Sequence, residues 1–190
     1  MSESGKSSAA SWLPWIGAAV AVLTLVFGSG IGTRFIEGRS EAEQAIAAKV
    51  RDDLIPIKTQ LAENKHIAEG LQSDLEPGWG IQETYYIRAQ RDGIEKHSVL
   101  RSRIDDLVAG NAKIVARLDS YGESRRQGFN DAAQAFRNHA KSYSSRWKGM
   151  KEAVENGADY PTAEPVYPVE FTEEVEREIA ALKAKAPDKF

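Results

Sequence analysis

Apolar residues recur along most of this chain at alternating spacings of three and four, the pattern that lays one apolar stripe along an α-helix. In the first run, Ala47, Val50, Leu54, Ile57, Leu61, Asn64, Ala68, Leu71 and Leu75 form a heptad seam. A second seam holds His97, Leu100, Ile104, Leu107, Asn111, Ile114, Leu118 and Tyr121. The third, Phe129, Ala133, Phe136, Ala140, Tyr143, Trp147, Met150 and Val154, alternates without a miss. No segment alternates apolar and polar at period two over a useful length, so the chain reads as all-α.

Local punctuation sets the predicted ends. Ser40-Glu-Ala-Glu43 reads as a capping box opening the first helix after a hinge at Gly38, and Glu76-Pro-Gly-Trp-Gly80 closes that helix. Pro56 predicts a kink near Asp53, because its ring clashes with the preceding turn. The second helix is expected from about Thr84 to Tyr121, ended by Gly122, and the third from about Gln127 to Glu155, stopped by Asn156-Gly157. Residues 157–171 form a proline-rich link. Residues 172–190 hold a short final helix, capped near Thr172, with Val175, Ile179 and Leu182 on its apolar face. Residues 37–156 thus predict an antiparallel, coiled-coil-like three-helix bundle, with the short fourth helix folded onto one groove. The same seams serve equally well between chains, so a protein partner or a homo-oligomer is an open expectation.

The start of the chain follows another pattern. After a polar tail, residues 1–11, no charged residue occurs from Ser7 to Thr33. Trp12–Ile36 is long and apolar enough to predict one transmembrane helix, with the lipid bilayer as partner. Trp12 and Trp15 stand as interfacial aromatics at one end and Arg34 at the other, while Gly28 and Gly32 make a Gly-x-x-x-Gly pair suited to close helix packing. Gly28-Ser29-Gly30 also offers the small residues of a signal-peptide cleavage site, but Lys6 is the lone base before the apolar run. Arg34, Arg39, Lys49 and Arg51 follow the span against Lys6 before it, which favours a cytoplasmic over an external C-terminal domain. The expected localisation is therefore a single-pass membrane protein.

Composition narrows the chemistry. Cysteine is absent, which removes disulfides, thiolate metal sites and a cysteine nucleophile. Charge is uneven: residues 37–83 hold ten acids and five bases, 84–151 seven and fourteen, and 152–190 ten and four. Acidic outer segments pairing with basic central helices explain this, and with the bases spread rather than blocked no nucleic acid is expected. Glu63-x-x-His66 has the spacing of a di-iron carboxylate ligand pair. It lacks a second such pair, and its seam positions face solvent. With no phosphate loop, nucleophile elbow or zinc spacing, no catalytic residue, cofactor or metal is predicted. No segment carries the motif residues of a known family.

Five residues remain as candidates for interaction. Trp79, Tyr85 and Tyr86 cluster at the first hairpin, either plugging the bundle's end or offering an aromatic patch. His97 and Asn111 lie on a seam, where an imidazole can titrate and an amide can set register. The functional expectation is a membrane-anchored, non-enzymatic helical scaffold or interaction protein. Its alternative is a bundle that senses a small molecule in a polar pocket lined by residues such as His97 and Asn111.

Overall fold

Every described element is helical, as the three-and-four spacing requires, and among the described residues there is no strand. The computed structural model describes residues 31–122, 126–160 and 169–190. Two units separate, Met1–Ala45 and Ile46–Phe190, and helix α1 (Ile31–Lys49) runs from the first into the second.

In the first unit the membrane expectation is corrected. The proposed span begins at Trp12, and Trp12, Trp15 and Gly28 lie outside the described residues. Its last six residues, with Gly32 and Arg34, belong to α1, which passes through Gly38 without a hinge. This helix continues through Glu37, Arg39, Glu41 and Glu43, a charge density that hydrocarbon does not accept. Among the described residues no helix is long and apolar enough to cross a membrane, so the single-pass localisation lacks support. The capping box is also absent: Ser40 sits mid-helix, and Glu43 pairs with Arg39 at 2.9 Å instead of reaching back to a helix start.

The second unit begins with a consequence of Pro56. A proline lacks the N–H of an α-helical bond and crowds the carbonyl four residues earlier. The helix answers by widening: Val50–Leu54 forms a π-helical turn, with the Ile55 N–H donating to the Val50 carbonyl. Helix α2 (Ile55–Gln72) then continues with Pro56 in its first turn. The expected disturbance before Pro56 is there, as a widened turn at the position where a kink was predicted.

Helix α3 (Ile81–Asp92) and α4 (Ser98–Tyr121) replace the single long helix expected from Thr84. They are divided at Gly93, whose φ of +90° with ψ of 149° no helix accommodates, followed by a 3₁₀ turn at Ile94–His97. Tyr85 packs edge-on against Trp147 at 4.8 Å, and Asp105 accepts a hydrogen bond from the same indole at 2.6 Å. The chain therefore reverses between Tyr85 and Asp105. An unbroken helix would carry both tyrosines past the end of the bundle, whereas the break at Gly93 folds them into it.

Helix α5 (Gln127–Asn156) buries every member of its predicted seam. Gly157, at φ +63°, closes it with the Ala158 N–H donating to the Ala153 carbonyl at 2.9 Å. Helix α6 (Glu170–Lys183) begins two residues before the predicted Thr172 cap. Phe171 stacks on Phe136 at 4.7 Å and on Phe129 at 6.2 Å. Thus α2, α4 and α5 form three long rows, and two short helices share the fourth. Helix α3 covers the C-terminal half of α5 and α6 the N-terminal half. Each buried aromatic or aliphatic side chain contributes about 1.5–3 kcal/mol relative to exposure.

With Val50, Leu54, Ile57, Leu61 and Leu71 buried beside the α4 and α5 seams, the stripes close within one chain. The charge asymmetry resolves as predicted for an internal account. Arg88 pairs with Glu76 at 3.3 Å, Arg103 with Asp74 at 3.7 Å, and Arg126 with Glu174 at 2.7 Å and Glu178 at 3.2 Å. The partly exposed pairs contribute up to about 1 kcal/mol each. Glu178 differs, being buried and also accepting the Tyr121 hydroxyl at 3.0 Å. Burial, and then the Glu178 charge, push the Tyr121 phenol upward.

Candidate functional site

Two apolar clusters fill the second unit, one around Phe136, Leu118 and Phe171, the other around Trp147, Ile104 and Tyr85. On the long rows the residues between them are polar. Asn64 follows Leu61 of the first cluster and precedes Leu71 of the second, and Asn111 falls likewise between Ile114 and Leu107. The two asparagines meet: Asn64 Nδ2 donates to Asn111 Oδ1 at 2.8 Å, and Gln60 Nε2 donates to Asn64 Oδ1 at 3.1 Å. Neighbouring Gly110 makes this possible, because a methyl there would overlap Asn64 Oδ1 and stand 2.9 Å from Asn64 Cγ.

The start of α3 completes the layer. Gln82, Glu83 and Thr84 are all buried. Gln82 Nε2 donates to the Tyr143 carbonyl at 3.1 Å, and the Thr84 hydroxyl accepts the Glu76 N–H at 3.1 Å. Glu83 is only 3 % exposed, and among the described residues neither carboxylate oxygen has a hydrogen-bond partner. The Tyr143 hydroxyl, Gln82 Oε1 and Asn111 Nδ2 are likewise buried without one. Burial, with the Glu83 charge adding to it, raises the Tyr143 phenol. A buried polar group left unpaired costs about 1–3 kcal/mol, and an ionised one more. The clue in sequence was Gln-Glu-Thr placed directly between a tight turn and two tyrosines.

Chemically, this layer recognises register. The Asn64–Asn111 hydrogen bond forms at only one alignment of α2 on α4, so a slipped alignment loses it, the role that buried asparagines play in coiled coils. Among the described residues no group of three or more His, Asp or Glu side chains is arranged to hold a metal ion. Glu63 and His66 are both exposed.

The predicted interaction residues separate. Tyr85 and Tyr86 are buried and serve as a plug, with the Tyr86 hydroxyl donating to the Ala158 carbonyl at 2.8 Å and accepting the Tyr160 N–H at 2.9 Å. Trp79 does not join them and stays 39 % exposed. His97 precedes α4 with Nε2 3.2 Å from Asp92 Oδ2, half-buried rather than in the core. Arg91 and, less strongly, His97 hold the Asp92 carboxyl down to about 2. Fourteen residues of helical rise, about 20 Å, lie between His97 and Asn111, so they do not line one pocket. No known protein family, curated protein or solved structure matches the chain.

Proposed function

We propose that this chain is a non-enzymatic interaction protein whose helical bundle presents a rigid aromatic turn to another protein. The observation that carries the reading is Trp79. The seams that first suggested a partner are spent inside the chain, while this large aromatic remains exposed on the turn before α3. The turn is held in place: the Trp79 N–H donates to the Glu76 carbonyl at 3.0 Å, Glu76 hydrogen-bonds to Thr84, and Arg88 clamps the Glu76 carboxylate. A tryptophan presented on a fixed backbone loses little entropy on binding, and tryptophan is among the residues most enriched at interface hot spots.

The test is site-specific photocrosslinking from position 79 in native extract, with exposed Lys113 as the control position. One discrete adduct from position 79, absent from position 113, is expected. The purified adduct partner should then bind the Trp79→Ala chain at least about tenfold more weakly than the parent, the loss of a modest hot spot. Equal labelling from both positions, or unchanged affinity of the variant, refutes the reading.

A further inference from the structure

Helix α5 carries an unusual run of bases. From Ala132 to Lys151 there are five bases, Arg137, Lys141, Arg146, Lys148 and Lys151, and no acid. Three of the five are paired: Arg137 with Asp119, Lys148 with Glu152, and Lys151 with Asp105. Lys141 and Arg146 have no acidic partner among the described residues, and both line the same notch. It measures ≈ 440 Å³, with Asn138, Ser142, Ser145 and Tyr160 as its other walls.

The notch is built by specific packing. Asn138, Lys141, Ser142, Ser145 and Arg146 fall at helical spacings of three and four and so form one stripe along α5. The Tyr160 ring closes one side because Gly149 leaves room for it. A methyl at Gly149 would stand 2.7 Å from the ring. Tyr86 pins that wall through its hydrogen bond from the Tyr160 N–H. Arg146 is half-buried, and its Nη1 is covered by protein without finding an acceptor among the described residues. A guanidinium partly withdrawn from water without a counter-charge is costly, and an anion on its accessible edge offsets that cost.

We infer that this notch binds a small oxyanion, a phosphate monoester foremost. Arg146 and Lys141 supply the charge, the Ser142 and Ser145 hydroxyls and the Asn138 amide supply neutral donors, and the Tyr160 ring contacts the organic part of the ester. So many convergent donors match the three terminal oxygens of a phosphate better than the two of a carboxylate. The inference does not depend on Trp79 binding a protein.

The test is titration of the ¹⁵N-labelled full chain with inorganic phosphate and with phenyl phosphate, against chloride at matched ionic strength. Both phosphates should shift the amides of residues 138–146 saturably, phenyl phosphate at lower concentration because of Tyr160. Arg146→Gln should weaken binding at least about tenfold, as loss of a charge-assisted hydrogen bond requires, with Arg146→Lys recovering part of it. Lys148→Gln, which removes the same charge outside the notch, should leave affinity within about twofold, since a solvated charge contributes little. Equal tightness of the two phosphates would keep the anion site but remove the ester from the claim. Shifts matched by chloride, or equal losses in Arg146→Gln and Lys148→Gln, overturn the inference, and the wild-type titration decides even if a variant fails to fold.

Discussion

Replacing Gly110 by alanine puts a methyl group where Asn64 now sits. The new carbon would overlap Asn64 Oδ1, stand 2.9 Å from Asn64 Cγ and 3.0 Å from Gln60 Nε2. Neither helix can yield easily, since α2 and α4 are packed along their length by buried aliphatic residues, so the Asn64 side chain must leave. Overpacking of this kind costs about 1–3 kcal/mol. Expelling Asn64 also removes the donor to Asn111, and a buried amide losing its partner costs about a further 1–3 kcal/mol. Alanine returns about 1 kcal/mol through its better helix propensity. The net expectation is a destabilisation of about 3 kcal/mol, or a fall in Tm of about 6–12 °C for a unit of this size. Gly70 is the internal control: it lies on α2, exposed, with nothing within 4 Å of an added methyl. Gly70→Ala should stabilise by about 0.5–1 kcal/mol. Urea denaturation of both variants therefore reads opposite signs for the same chemical change. In an Asn64→Ala background the clash is gone, and Gly110→Ala should cost little, a coupling of about 3 kcal/mol. A Gly110→Ala variant as stable as Gly70→Ala, or additive with Asn64→Ala, would refute the packing argument.

Three more outcomes follow from the same geometry. Phe171→Ala should cost about 3–5 kcal/mol, because the ring packs on both Phe129 and Phe136, and should expose α6 to limited proteolysis before the rest of the unit. Gly93→Ala places a side chain at φ +90° and should lower stability by about 1–3 kcal/mol, seen as an earlier urea midpoint with unchanged slope. The Asp92 carboxyl is depressed in the folded chain, so its contribution is fully present above its ordinary range of about 4 and lost as pH falls through about 2. The stability gap between parent and Asp92→Asn should therefore shrink between pH 5 and pH 2, and a constant gap would contradict the Arg91–Asp92–His97 pairing.

The asparagines show how far pattern reading reaches into the site. Asn64 and Asn111 were visible as polar residues on apolar seams, because a seam position is defined by local spacing alone. Their hydrogen bond was not visible, since it depends on the level at which α2 lies against α4. Glu83 was missed for a related reason. The helix was expected to start near Thr84, and the burial of Gln82 and Glu83 beside Tyr143 depends on how α3 lies on α5. Trp79, Tyr85 and Tyr86 divide between the two alternatives that local sequence left open. Close in sequence, they read as one cluster, either a plug or an exposed patch, but in the structure they part: the two tyrosines are buried and Trp79 stays exposed.

Helical period is a property of neighbouring residues, so the chain by itself determined that these segments are helices and which stripe of each is buried. On α5 that stripe is right at every position, because one continuous helix has one face. What the tertiary structure decided is everything set by distant partners. It reversed the chain at Gly93, filled the fourth row with two short helices instead of one, and spent the seams inside a single molecule. Among the described residues it also left Arg146 and Lys141 on α5 without acidic partners. Pairing of that kind depends on which side chains are brought near through folding, and spacing along one helix carries no information about it.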